Sequence, residues 1–175
     1  DDVHKVTIVP RGQALGLTCL LPEGDSDSLS RGEMLDDMAM TMGGRAAEEL
    51  AMDDISSGAA MDLKQATRYA RLLVCTFGMD PEIGPVQYAD PTAPHHSRLD
   101  GPVPDSMGPE TARELDLAIK RYLDQALTRA RTILSEHRDQ LEKLAQALLE
   151  KETLSVEEIN ELIKTALDIQ KNPDM

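Results

Sequence analysis

Asp62 is the residue whose surroundings point most clearly to chemistry. It stands in the stretch Ser57-Gly-Ala-Ala-Met-Asp-Leu-Lys-Gln-Ala-Thr67, where small residues lead into an amphipathic pattern. Two readings of its carboxylate remain open from pattern alone. An acid in the first turn of a helix is favoured by the helix dipole, by roughly 0.3–1 kcal/mol. A carboxylate fixed at the start of a packed helix, behind residues with little bulk, also suits the holding of a ligand. The remaining reactive groups do not complete a catalytic set. The 4 histidines are His4, His95, His96 and His137, and no two have the i, i+4 spacing that puts two imidazoles on one helix face. There is no GxSxG, phosphate-binding loop, CxxC or His-Glu-x-x-His. His95 and His96 are adjacent, so their side chains tend to point apart, and loop surface is the better reading than a metal pair. His4 reads as a hairpin residue and His137 as a helix-surface one. Cys19 and Cys75 each sit in apolar sequence and read as buried, reduced thiols of a cytosolic compartment.

Composition limits what such a site can serve. The 175 residues suit one domain with a sizeable core, or two small subdomains. Hydrophobic residues make up 41% and aromatics only 2%, so Leu, Ile, Val, Ala and 9 Met must build the interior. That is a composition for helix packing and a poor one for an aromatic-rich β-sandwich. The formal charge of −14 repels phosphate backbones and anionic lipid, which argues against nucleic acid as a partner. No apolar run reaches the roughly 20 residues that span a bilayer, and no signal peptide pattern opens the sequence. The chain itself reads as soluble, and it suits part of a larger protein anchored elsewhere.

The elements that would position Asp62 follow from periodicity. Residues 3–9 alternate and are β-branched, 14–23 form a second strand-like run, and Pro10-Arg11-Gly12 supplies turn chemistry between them. This predicts a short N-terminal hairpin, followed by an acidic connection over 23–28. Ser30 and Glu33 have capping-box spacing and open a helical pattern that runs to about Leu50. Gly43-Gly44 lies inside that pattern, as a break between two helices or as a place of close approach by another backbone. Leu63, Ala66, Ala70, Leu73, Val74 and Phe77 give helical spacing, and Gly78 is a suitable stop. Residues 79–108 carry Pro81, Pro85, Pro91, Pro94, Pro102 and Pro104 and read as a long loop. Pro109 fits a first helical position, and a long amphipathic helix follows it through about Leu134. A second helix is predicted over about 136–151, and the Ser155–Glu158 capping box starts a third. The fold class expected is mainly α: a short N-terminal β-hairpin, then helices ending in a helical hairpin and a closing helix. This divides the chain into a first subregion over about 1–78, a loop over 79–108, a helical bundle over 109–167 and a tail over 168–175.

Five segments in this order carry a more specific signal. They are "DDVHKVTIVPRGQALGLTCLLPEGD", "GGRAAEEL", "SSGAAMDLKQATRYARLLVCTFGM", "ETARELD" and "HRDQLEKLAQALLEKETLSVEEINELI". Together they resemble the peptidase domain of FtsH-type ATP-dependent zinc metalloproteases, from about Val3 to Ile163 and most weakly over 88–108. The resemblance implies a membrane-anchored homo-hexamer that unfolds membrane and cytosolic polypeptides with ATP and Mg2+ in an AAA+ module, then cuts them at a zinc site. It implies that the peptidase domain lies on the cytoplasmic, matrix or stromal side of the membrane. In the family a His-Glu-x-x-His helix gives two zinc ligands and the general base, and an Asp in the segment matching "SSGAAMDL" gives the third. That residue maps onto Asp62.

One departure matters. In the family the His-Glu-x-x-His helix precedes the segment matching "DDVHKVTIVPRG", at which this sequence opens. The expectation is a piece of a longer protease that starts after the motif and is inactive alone, with exposed apolar surface and partial disorder around 40–62. A non-catalytic assembly module of a protease-dead paralogue is the alternative. Three further expectations concern the neighbourhood of the site. Glu48 orients a ligand histidine, its other reading being an ordinary helix-surface acid. Gly43-Gly44 is the face against which the metal helix packs. Gly16, Leu17 and Thr18, within the strand run Gly16–Leu20, offer an unpaired edge for extended substrate, their other reading being an internal hairpin strand.

Overall fold

The structure, a computed structural model, describes residues 2–10, 16–21, 28–52, 55–89 and 108–171. The chain divides into two compact units, Asp1–Ser28 with Glu136–Met175, and Leu29–Ser135. The pattern-based hairpin is present in the first unit. Strand β1 (Asp2–Thr7) pairs antiparallel with β2 (Leu17–Leu21), with Val6 opposite Thr18 and a shift of register between Val3 and Lys5. The turn residues Arg11 and Gly12 and most of the acidic connection lie outside the described residues.

Sequence reading did not anticipate a third strand. Helix α5 (Arg138–Lys151) ends at Glu152, whose φ of 60° turns the chain sharply into β3 (Thr153–Ser155). This strand pairs with the other edge of β1, giving the order β2-β1-β3. Short polar bonds fix the junction: Thr7 Oγ1 donates to Glu152 O at 3.0 Å and lies 2.8 Å from Thr153 Oγ1. Leu154 is fully buried behind it. Helix α6 (Val156–Lys171) then starts at the expected capping box, with Ser155 N donating to Glu158 Oε2 at 3.0 Å. The helix runs past the predicted tail boundary to Lys171.

The second unit holds the larger core. The predicted helix over 30–50 is two helices, α1 (Arg31–Thr41) and α2 (Gly43–Ala51), separated at Met42. Ser30 and Glu33 cap α1 reciprocally, with bonds of 3.2 and 2.6 Å. A 3-10 turn, Ser57–Ala59, leads into α3 (Ala60–Arg71), which continues as one π-helical turn, Leu72–Thr76. Gly78 then reverses the chain at a φ of +58°. The strand-free segment after it is tied down by Tyr88 N and Ala89 N, which both donate to Cys75 O, at 2.7 and 2.9 Å. Helix α4 (Pro109–Glu136) begins at the proline expected to start it.

The interior of this unit is built from methionine and alanine. Met34, Met38, Met42 and Ala46 pack with Ala66, Ala70, Leu73 and Val74, and with Leu115, Ile119 and Tyr122 of α4. Small alanines let the helices approach, and the flexible thioethers fill the irregular gaps between them. The apolar faces are narrower than periodicity suggested. Leu63 and Phe77 fit the helical spacing and are exposed, as are Ile133 of α4 and Leu149 of α5. Over 40–62 the described residues are mostly helical, and Met40, Met52, Ile55 and Met61 stand in solvent. No helix among the described residues is long and apolar enough to cross a membrane.

Candidate metal centre

Asp62 lies in the first turn of α3, as its sequence context predicted. The turn before it is set by Ser56, whose Oγ accepts from Gly58 N at 3.0 Å. Ala59 is buried and seats this helix start on the core. Across from it lies the first turn of α2. A Cβ added to Gly44 would fall 3.2 Å from Asp62 Oδ2, while one added to Gly43 would meet nothing within 4 Å. Close approach therefore belongs to the second glycine of the pair, and its neighbour there is Asp62.

The surroundings of Asp62 bear on both readings of it, since the helix dipole favours a first-turn acid whether or not it makes a bond. Asp62 makes no hydrogen bond or ion pair among the described residues. It is half-buried, and that burial pushes its carboxyl pKa up, with no compensating donor. A partly desolvated carboxylate without a partner fits one oxygen donor to a cation such as zinc, which takes Asp or Glu oxygen beside histidine nitrogen. It does not complete such a site. No group of three His, Cys, Asp or Glu able to hold a metal occurs among the described residues.

Glu48 and Glu49 are neighbours in sequence with different partners. Glu49 bonds Arg45 at 3.0 Å and Arg131 at 2.5 Å, joining α2 to α4. The Arg131 bond is the main cause of its lowered pKa. Glu48 faces the other way. Its Oε1 accepts from Ser56 Oγ at 2.5 Å and its Oε2 from Ser56 N at 3.2 Å, and these bonds hold its carboxyl below the usual range. Sequence reasoning had singled out Glu48 and had not seen Ser56. The signal was available, since Ser56-Ser57-Gly58 before a helix is N-cap chemistry.

The other singled-out residues fall elsewhere. Gly16, Leu17 and Thr18 belong to the first unit, where β2 is the outer strand of the sheet and pairs only with β1 among the described residues. A Cβ on Gly16 would come within 2.9 Å of Thr7 O, so the strand enters the sheet where only glycine fits. His4 is exposed on β1 and His137 is exposed just before α5. His95, His96 and most of the 88–108 segment lie outside the described residues. Cys75 is buried and free.

The model of the family described as "Peptidase family M41" matches residues 1–162. An "ATP-dependent zinc metalloprotease FtsH 2" from Methylacidiphilum infernorum is 44% identical over 165 residues, which cover 94% of this chain and 26% of the relative. An "ATP-dependent zinc metalloprotease FtsH 3" from Petrotoga mobilis is 42% identical, over 96% of this chain and 26% of its own length. The "ATP-dependent zinc metalloprotease FtsH" of Thermus thermophilus is also 42% identical, over 94% and 26%. The chain thus spans about a quarter of the length of these curated relatives.

Proposed function

The chain belongs to peptidase family M41, and on that footing we propose that it is the proteolytic part of an ATP-dependent zinc metalloprotease in which Asp62 is one zinc donor. The observation that carries this is the half-buried Asp62 carboxylate, held on a fixed helix start with no partner among the described residues. Zinc in such a site supplies Lewis acidity toward water and toward a peptide carbonyl. This chain contributes an oxygen donor, a rigid α3 to hold it, and at Gly44 the room for it. In this reading a His-Glu-x-x-His helix, which the 175 residues do not contain, would give the remaining donors and the general base. The 175 residues alone are therefore expected to cleave no casein.

The outer edge of β2 suits the other half of the reaction. Its free backbone N–H and C=O groups can take an extended polypeptide by strand addition, with Gly16, Leu17 and Thr18 as the contact residues. Unfolded membrane and cytosolic proteins are the substrates this predicts. A homo-hexameric ring, an ATPase module using ATP and Mg2+, and a membrane anchor would complete the protein. This domain would then work on the cytoplasmic, matrix or stromal side.

The test uses the complete protein. Asp62→Ala should abolish casein degradation and bring zinc, measured by elemental analysis, to background, while ATP hydrolysis persists. Unchanged zinc content would refute the donor role. Wild-type protein that assembles yet holds no zinc and cuts nothing would replace this reading with that of a non-catalytic assembly module.

A further inference from the structure

Helix α2 meets the start of α3 at two points one helical turn apart. Gly44 and Glu48 are four residues apart and so share a face of α2. Gly44 leaves room for the Asp62 carboxylate. Glu48 receives both the hydroxyl and the N–H of Ser56, with each carboxylate oxygen taking one. Since Ser56 Oγ gives its hydrogen to Glu48, its lone pairs are left for Gly58 N–H, and it takes that bond at 3.0 Å. A continuous chain of hydrogen bonds thus runs from α2 through Ser56 to the turn that opens α3. Gly58 completes the fit. A Cβ there would lie 3.0 Å from Ser56 Oγ and 3.3 Å from Glu48 Oε1.

We propose that Glu48 is a positioning residue that acts on Asp62 through Ser56, by clamping the 3-10 turn so that the carboxylate keeps its place opposite Gly44. Each oxygen of Glu48 takes one bond from Ser56, which ties this carboxylate to the turn that opens α3. This inference rests on the reading of Asp62 as a zinc donor. It assigns a purpose to a bond pair that otherwise serves only to join two helices.

Zinc dissociation constants of the complete protein, measured by competition with a chromophoric chelator, test it. Outer partners of metal ligands typically shift affinity by about 10–100-fold. Glu48→Ala and Ser56→Ala should each weaken zinc binding about tenfold, and the double variant should be no worse than either alone, because they cut one chain. Ser56→Thr keeps the hydroxyl and should restore wild-type affinity. Gly58→Ala should weaken binding too, since its methyl would press on Ser56 Oγ and Glu48 Oε1 while both residues stay unaltered. Melting temperatures taken alongside should stay within a few degrees of wild type, since these residues lie outside the buried core. Weakening by Glu48→Ala with no effect of Ser56→Ala would overturn the proposal, as would multiplying effects in the double variant or failure of Ser56→Thr to rescue. A wild-type protein without zinc, or zinc indifferent to Asp62→Ala, would instead overturn the donor reading itself.

Discussion

Two carboxylates in the second unit are held in opposite ways. Asp62 is half-buried and has no partner among the described residues, and Gly44 lies beside it. In Gly44→Ala the new methyl would force the carboxylate to shift by a few tenths of an ångström. Alanine is the better helix former by at most about 1 kcal/mol. The melting temperature should therefore hold or rise while zinc affinity and proteolysis of the complete protein fall. Gly43→Ala, with open space around it, should leave both unchanged. Asp80 is the contrasting case. Burial alone would raise its pKa, but N–H groups of Ile83 and Glu82, the Tyr122 hydroxyl and Arg121 together hold it below the usual value. A lowered carboxyl pKa stabilises the fold above the unfolded value, about 3.9, and that contribution is lost as the pH falls through the folded value. Asp80→Asn should cost about 1–3 kcal/mol at pH 7 by weakening the bonds Asp80 accepts, while Arg121 keeps its pair with Glu82. Its denaturant midpoint should also change less than wild type's between pH 6 and pH 3.

At the level of elements, the turn after α3 depends on one residue. Gly78 has a left-handed φ of +58°, and a Cβ there would lie 3.0 Å from both Pro85 Cα and Val86 N. The left-handed region costs an L-residue roughly 1–2 kcal/mol, and backbone cannot swing aside as a side chain can. Gly78→Ala should lower unfolding stability by about 2 kcal/mol or more, read from urea midpoints. This stop was legible in the sequence, as were the caps at Ser30 and Ser155 and the start of α4 at Pro109. Each depends on a residue acting within a few positions of itself. The split at Met42 was legible only as an ambiguity, because Gly43-Gly44 signals a break and a close approach alike. Strand β3 was not legible. Its three residues are too few to show a period, and it becomes a strand only by meeting β1, some 145 residues away along the chain.

For the whole molecule, what composition foretold was the material of the interior. A chain with 2% aromatics packs its helices on methionine and alanine, and Met34 and Met38 are fully buried. What periodicity overstated was the breadth of the apolar faces, since Leu63 and Phe77 fit the spacing yet face solvent. The candidate site was half legible. Asp62 is singled out by its segment, and its lack of a partner among the described residues needed coordinates. Glu48 was found by its segment too, but Ser56 was not, because that bond joins two helices across a break in pattern. The central claim is that Asp62 gives an oxygen to zinc. Anomalous diffraction at the zinc edge from crystals of the complete protein tests it most directly. The account predicts a single peak per subunit at about 2.0–2.2 Å from an Asp62 carboxylate oxygen, the usual zinc–carboxylate distance. A zinc peak whose donors leave out Asp62, with that carboxylate still unpartnered beside Gly44, would contradict it.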